Sequence, residues 1–332
     1  VAQQYLPSAL QGEAFWSPSR QGWEGQRRER MLERRAAQLA ASAEAVDEHP
    51  LLVSSGPEQP QLERWLQRQL SVDAERLQEL RQKLWSDLCW QRTDRVLILG
   101  GRSLLWALDP LGAVAEGGLT ILCASSTEQR RLEAQLQLLD PLNHPAMLAD
   151  AADLERLRPD HQFEVVGGRL NQEDLNGPDF ETFWAQVSSR STSGAQLRLL
   201  LSEPQLGPAG GLLELLISEK SASTTMSSLQ TLAALESIWL SQEEQRQRLL
   251  SQLERCGWVT NQSSWQESLK LSVEPSLIER WLGEDRPYRK ALEKTGEASE
   301  TELSELRREL LQQRGNHLPQ SLRHWRIEGR LA

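Results

Sequence analysis

The sequence predicts an α/β domain in which helices flank a mostly parallel sheet. Short apolar runs bounded by turn residues recur through the middle of the chain, and helical stretches separate them. Continuous apolar runs are typical of strands that are buried on both faces, as the strands of a parallel sheet are. Regular alternation of such strands with helices indicates a doubly wound α/β arrangement.

Five short segments are the predicted parallel strands. One of them is a three-residue segment near Ala146–Leu148, and the others are longer apolar runs. These runs are Arg95–Leu99, Leu119–Cys123, Phe163–Val166 and Leu197–Leu201. Trp258–Trp265 and Ser268–Val273 alternate more between apolar and polar residues, which predicts a closing pair of antiparallel strands.

Capping patterns and apolar periodicity predict helices between these strands. Ser125 and Glu128 have the spacing of a capping box and open a helix after the second strand. A long helical stretch over residues 227–256 ends at Gly257, as a helix with a C-terminal glycine cap does. Leucine spacing also predicts a mostly helical end to the sequence.

The expected organisation has three parts. An extended and helical N-terminal tail covers residues 1–46, the α/β domain covers 60–275, and a helical C-terminal extension covers 276–332. Turn formers mixed with large aromatics in residues 1–30 predict a segment that packs on a partner surface. Because the first residue is Val, we expect the sequence to be a fragment of a longer protein.

Composition predicts a soluble, cytoplasmic protein without a metal site or a membrane span. Hydrophobic residues make up 39% of the sequence and charged residues 25%, as in globular proteins, and neither a long apolar run nor a secretory leader is found. Cys89, Cys123 and Cys256 lie far apart, so reduced thiols are expected. The net charge of −10 argues against a generally basic, duplex-binding surface.

The first 24 residues carry an ordered set of aromatics, prolines and glycines. They read V-A-Q-Q-Y-L-P-S-A-L-Q-G-E-A-F-W-S-P-S-R-Q-G-W-E. This resembles the C-terminal tail of RarA (also called MgsA), a bacterial AAA+ ATPase of the clamp-loader clade, whose members end in Q-x-Y-L-P…G…[FY]-[YFW]-x-P…G-[YFW]-E. The matching residues are Gln4, Tyr5, Leu6, Pro7, Gly12, Phe15, Trp16, Pro18, Gly22, Trp23 and Glu24.

The resemblance to RarA implies a role in DNA replication, recombination and repair. It implies that residues 1–46 are the ATPase tail and that the AAA+ ATPase portion of the same polypeptide is a partner. It also implies contact with single-stranded DNA or replication proteins. The sequence itself holds no G-x-x-x-x-G-K-[ST] motif, so it cannot bind ATP through a P-loop.

The region from about 75 to 275 resembles class I S-adenosylmethionine-dependent methyltransferases, which have a Rossmann-like fold. Some RarA proteins are similar in carrying such an extra domain. A methyl donor of this type needs small residues after the first strand, a helix N-terminus, and a carboxylate for the ribose after the second strand. The candidate cofactor-binding residues follow the predicted strand ends: Gly100, Gly101, Ser103, Ser125, Asp150 and Glu203.

The sequence departs from the methyltransferase pattern at several of these positions. Arg102 and Leu104 stand where small residues are usual, and no acidic residue follows Cys123 before Glu128. Neither [DNS]-P-P-[YF] nor a P-C dipeptide occurs, so base-methylation signatures are missing. Simpler roles are a helix cap for Asp150 and a solvent-facing loop carboxylate for Glu203.

Nucleic-acid binding is a separate hypothesis for the N-terminal tail. Arg27, Arg28 and Arg30 lie near Trp16 and Trp23, and arginine with stacked aromatics can hold single-stranded DNA. The alternative is a solvated helix face beside aromatics that dock on the ATPase.

Three hypotheses for function follow from the sequence. The first is a non-catalytic accessory module that keeps the methyltransferase fold and binds a partner or regulates the ATPase. The second is an active methyltransferase of unknown acceptor, and the third is a single-stranded DNA-binding appendage. The expected cofactor, if one is used, is S-adenosylmethionine, and tight binding is not expected because the ribose carboxylate is missing.

Overall fold

A computed structural model describes most of the protein after residue 75. The described residues are 76–123, 125–136, 144–177, 179–218, 226–295 and 298–332. The predicted tail over 1–46, with its RarA-like pattern, lies outside the described residues, as do Arg27, Arg28 and Arg30.

The described residues contain a seven-stranded sheet in the order β3-β2-β1-β4-β5-β7-β6. The strands are β1 (Arg95–Leu99), β2 (Gly118–Leu122), β3 (Ala146–Leu148), β4 (Phe163–Leu170), β5 (Ser191–Pro204), β6 (Trp258–Ser272) and β7 (His317–Leu331). Pairings among the first five strands are parallel, whereas β7 runs antiparallel to both β5 and β6. The prediction of a mostly parallel sheet is confirmed.

Helices flank both faces of the sheet and form a separate layer near the end of the sequence. They are α1 (including residues 76–85), α2 (Leu108–Ala113), α3 (Ser126–Leu136), α4 (Ala152–Arg156), α5 (Gln172–Leu175), α6 (Phe180–Ser189), α7 (Pro208–Ser218), α8 (Met226–Leu240), α9 (Glu243–Arg255), α10 (Pro275–Leu282), α11 (Pro287–Thr295) and α12 (Glu300–Gln312). The predicted long helix over 227–256 is therefore two helices, and Gly257 caps the second at a φ of +89°.

The core has a layer on each face of the sheet because successive strand residues point to opposite sides. Val96 and Ile98 of β1 pack with the helix α1 and with α3, whereas Leu97 and Leu99 pack with α5, α6 and α9. A third cluster joins α7 and α8 to α10, α11 and α12 around the buried Trp281. Burial of both faces explains the continuous apolar runs in the sequence.

The structure corrects the prediction for the C-terminal part of the sheet. The expected antiparallel pair 258–265 and 268–273 is one continuous strand, β6, and its partner is β7. The expectation of a helical extension over 276–332 holds for α10 to α12 but is wrong from His317 onward. β7 lies between β5 and β6, although the predicted boundary between 275 and 276 assigned it to another domain.

The sequence of β7 does not show the apolar alternation of a strand, because polar residues occupy several of its buried positions. Gln320, His324 and Arg326 are all buried, and the alternation with more exposed neighbours holds as far as Trp325. A search for alternating apolar residues therefore misses this strand.

Among the described helices, none combines the length and the apolar character that crossing a membrane requires.

Candidate functional site

The carboxyl ends of the parallel strands bring most of the predicted cofactor residues to one edge of the sheet. Gly100 follows β1, Ser125 follows β2, Asp150 follows β3, and Glu203 lies at the end of β5. In open α/β sheets, ligands bind in the crevice beyond this edge, next to the point where the strand order reverses. That point lies here between β1 and β4.

Gly100 and Gly101 form the turn after β1, and the protein itself fills the space beside both. Gly100 has a φ of +63°, and a Cβ on it would overlap the backbone oxygen of Arg169 in β4. The Gly101 N–H donates to the Leu122 carbonyl at 3.0 Å. A Cβ on Gly101 would lie 2.8 Å from that same oxygen. Close packing against β4 and β2 therefore suffices to explain the two glycines.

Arg102 directly follows this turn, and its side chain is buried. Its guanidinium makes a bidentate pair with Asp174, at 2.8 and 2.9 Å, and its Nε lies 3.5 Å from Glu128 Oε1. Asp174 also accepts from the Asn171 N–H at 2.7 Å, within the capping box of α5. A Cβ on Gly100 would lie 3.4 Å from Arg102 Nη1, which places the guanidinium beside the glycine turn. Arg102 thus joins α3 and α5, the helices that follow β2 and β4.

Two features of this arrangement differ from what the binding of S-adenosylmethionine requires. The donor needs open space beside the glycine turn, where the buried Arg102 side chain lies with 5% exposure. It also needs a carboxylate for the ribose after β2, and the first acid there, Glu128, contacts Arg102 instead. Burial raises the pKa of the Cys123 thiol at the end of β2 to about 11, so this thiol is neutral.

Three predicted cofactor residues cap helices. The Ser103 hydroxyl accepts from the Leu105 N–H at 3.3 Å, at the start of a short 3-10 helix. Ser125 accepts from the Glu128 N–H at 3.3 Å, which confirms the predicted cap of α3. Asp150 accepts from the N–H of Asp153 at 3.2 Å, beside α4. A ligand role for these residues stays a prediction.

Glu203 is buried, and both of its carboxylate oxygens accept hydrogen bonds. Oε1 accepts from the Gln242 N–H at 2.8 Å, which caps α9, and Oε2 accepts from Trp325 Nε1 at 3.1 Å. The guanidinium of Arg246 stacks on the Trp325 ring, 3.7 Å from its centre. Glu203 therefore ties β5, β7 and α9 together, and it does not face solvent as a loop carboxylate would.

A second buried carboxylate, Glu236 of α8, was missed by sequence reasoning. It accepts from the N–H groups of Ala209 and Gly210, at 2.6 and 2.7 Å, and from the Tyr288 hydroxyl. The first turn of α7 could bind an external anion, but this internal carboxylate occupies it. Burial raises the pKa of Glu236 to about 7, against the opposing effect of hydrogen bonds from Tyr288 and from the N–H groups of Gly207, Ala209 and Gly210. The glycine-rich stretch that begins at Gly207 was the available signal.

A series of hydrogen bonds crosses the three C-terminal strands at His324. Its Nδ1 lies 2.9 Å from Ser202 Oγ in β5, and its Nε2 lies 2.9 Å from Glu267 Oε2 in β6. Burial lowers the pKa of His324 although Glu267 opposes this effect. A neutral ring then donates from Nε2 to Glu267 and accepts from Ser202. Because His324 is fully buried and both its nitrogens are bonded, it acts as a tie between strands.

Metal binding gains no support from the described residues. Within them, no group of three or more His, Cys, Asp or Glu side chains could hold a metal ion.

The strand order and its antiparallel β7 define a Rossmann-like, methyltransferase-type fold. No protein-family model matches the sequence, and no curated protein matches it. Solved structures do match. A suspected methyltransferase from Bacillus halodurans C-125 is 13% identical, with a TM-score of 0.41 over 75% of this protein and 97% of that one.

Two further structures are similar to this protein at the same level. The YcgJ protein from Bacillus subtilis is 11% identical, with a TM-score of 0.43 over 77% of this protein and 98% of that one. A precorrin-6y C5,15-methyltransferase from Geobacter metallireducens GS-15 is 13% identical, with a TM-score of 0.38 over 57% and 77%. These similarities concern the fold and assign no reaction to this protein.

Proposed function

We propose that the domain is a non-catalytic module that keeps a methyltransferase-type fold and serves to bind a partner or to regulate an attached enzyme. The observation that carries this proposal is the bidentate pair between Arg102 and Asp174 in the cofactor crevice. In this proposal, the pair takes the place beside Gly100 that a methyl donor would need.

The energetics of the pair support a closed crevice. Arg102 is 5% exposed, Asp174 is partly buried, and a hydrogen bond to a charged group is worth about 1.5–3 kcal/mol. A donor that displaced Arg102 would have to offset this cost, which corresponds to a loss of about ten- to a hundredfold in affinity. The missing ribose carboxylate would weaken binding further.

The proposed partner is the AAA+ ATPase portion of a RarA-type protein. Support comes from the pattern of aromatics, prolines and glycines in residues 1–24, which resembles the tail of that family. A contribution of Arg27, Arg28 and Arg30 to single-stranded DNA binding is a separate hypothesis for the tail. It predicts that binding weakens as salt concentration rises.

The second candidate is an active S-adenosylmethionine-dependent methyltransferase. It is favoured by the fold and by the position of Gly100 and Gly101 directly after β1, at the switch point of the strand order. In this case Arg102 would have to leave the crevice when the donor binds. The two candidates differ in whether the donor binds without a change of sequence.

Calorimetry of the protein with S-adenosylmethionine separates the two candidates. For the unaltered protein we expect no binding heat at millimolar donor. Arg102→Gly, which supplies a G-x-G stretch and removes the guanidinium, should open the crevice and allow measurable binding. Arg158→Gly, at an exposed loop arginine, is the matched control and should behave as the unaltered protein does. Micromolar binding by the unaltered protein would favour the enzyme instead.

A further inference from the structure

A polar groove lies at the opposite edge of the sheet from the crevice. It runs across the amino ends of β5 and β6 and the last residues of β7, and its volume is about 420 Å³. The residues that matter for its chemistry are Gln196, Arg198, Thr260, Asn261, Glu328 and Arg330. We call it the amino-edge groove.

Arg198 is the buried cation of the amino-edge groove. Its side chain is 7% exposed, and its Nη1 donates to the Leu197 carbonyl at 2.9 Å. Its Nε, which is also buried, has no hydrogen-bond acceptor within the part of the protein that the structure describes. Burial lowers the pKa of Arg198 from its usual value, as expected for a cation removed from water.

The neighbouring carboxylates are engaged elsewhere. Glu328 lies directly across from Arg198 in the strand register, but its carboxylate pairs with Arg326 at 3.1 Å. Arg326 also lies 3.5 Å from Asp87 and donates to Ser86 at the end of α1. Among the described residues, Arg198 therefore has no carboxylate within ion-pair distance. Glu328 and Asp87 attract Arg198 from a longer distance, whereas burial and the charge of Arg326 act against it. A further negative charge beside the guanidinium would therefore be favourable.

Arg330 adds a second guanidinium to the groove. It sits across from Gln196 in the register of β5 and β7, and its side chain passes beside Gly194. Arg330 is exposed, so it can reorient toward a ligand. Gln196 of β5 and Asn261 of β6 also line the groove and carry amide groups.

We propose that the amino-edge groove binds the oxyanion group of a small ligand, a phosphate monoester or a carboxylate, between Arg198 and Arg330. The planar guanidinium presents parallel N–H donors that match the oxygens of both groups. The volume of the groove suits a small molecule. The site lies away from Gly100 and Arg102, so it stands independently of the function proposed for the crevice.

The first test is a titration of the whole protein with small anions at constant ionic strength. The NMR signals of the arginine Nε–Hε groups are recorded at each step. Inorganic phosphate is one probe, acetate is the second, and chloride is the reference ion. A saturable shift of the Arg198 signal with phosphate or acetate is the expected result, and the tighter probe identifies the ligand class. Shifts that are linear, or equal for chloride, would overturn the proposal.

Variants make the assignment specific. Arg330→Gln changes an exposed side chain and should weaken binding of the probe by about tenfold or more, the usual effect of losing a hydrogen bond to a charged group. Arg198→Lys keeps the charge but loses the paired donors, and it should weaken binding as well. Arg255→Gln, at an exposed arginine that precedes β6, should bind as the unaltered protein does. Unchanged binding by Arg330→Gln and Arg198→Lys would contradict the proposed site.

Discussion

Arg102 occupies a position where methyltransferases usually have a small residue. Its acidic neighbours form a network of ion pairs around it. Asp174 holds the guanidinium with both oxygens, and Glu128 lies against Nε. The departure at Arg102 is visible in the sequence. Its partner Asp174 is not, because the two residues meet only when β1 and β4 pair in the sheet.

Removing Asp174 tests the strength of this network. Asp174→Ala leaves the buried Arg102 without its main counterion and removes the cap of α5, so the free energy of unfolding should fall by about 3 kcal/mol. Urea denaturation measures this loss. Asp160→Asn, at an exposed loop position, should change stability by less than about 0.5 kcal/mol. Equal stability of the two variants would mean that the pair is unimportant.

The raised pKa of Glu236 predicts that the stability of the protein depends on pH. Burial raises its pKa from 4.5 to about 7, so between these values the folded protein binds more protons than the unfolded protein does. The contribution of Glu236 to the free energy of unfolding is therefore fully present below its unfolded pKa and is lost as pH rises through its folded pKa. The free energy of unfolding should fall by about 3 kcal/mol over this range. Glu236→Gln should remove this loss.

Urea denaturation at several pH values between about pH 5 and pH 8 gives the free energy of unfolding of the unaltered protein and of Glu236→Gln. The difference between the two curves is the contribution of Glu236. The exposed Glu214 of α7 provides the control Glu214→Gln, which should keep the pH dependence. If Glu236→Gln keeps it too, the high pKa is assigned to the wrong residue.

At the scale of elements, the sequence predicts the parallel half of the sheet well. The segment near Ala146–Leu148 is β3, and the run Arg95–Leu99 is β1. Both are identifiable because burial on two faces demands continuous apolar residues. β7 could not be found in this way, since His324 and Arg326 occupy buried positions with partners on other elements.

β7 should be one of the most stable elements, because it pairs along its length with β5 and β6. Ile327 is fully buried between them, whereas Val259 of β6 is 72% exposed. Ile327→Ala should lower the free energy of unfolding by about 2–5 kcal/mol. Val259→Ala should cost less than about 1 kcal/mol. Denaturation of both variants tests the assignment, and a larger effect at Val259 would place β7 elsewhere.

Across the whole molecule, the acidic side chains at the carboxyl edge of the sheet are bound to other groups of the protein itself. Asp174 holds Arg102, Glu203 caps α9, and Glu236 caps α7. The glycine turn and the lack of an acidic residue directly after β2 are both visible in the sequence. Sequence reasoning could not identify the internal partners, because each of them comes from a different part of the sequence. The amino-edge groove, by contrast, leaves a buried guanidinium without a carboxylate partner among the described residues.

A crystal structure of the protein grown with excess S-adenosylmethionine tests the closed crevice most directly. The expected electron density has Arg102 bound to Asp174 through both oxygens and contains no donor beside Gly100. Density for the donor against the glycine turn, with Arg102 turned away from Asp174, would contradict the account and favour an active methyltransferase.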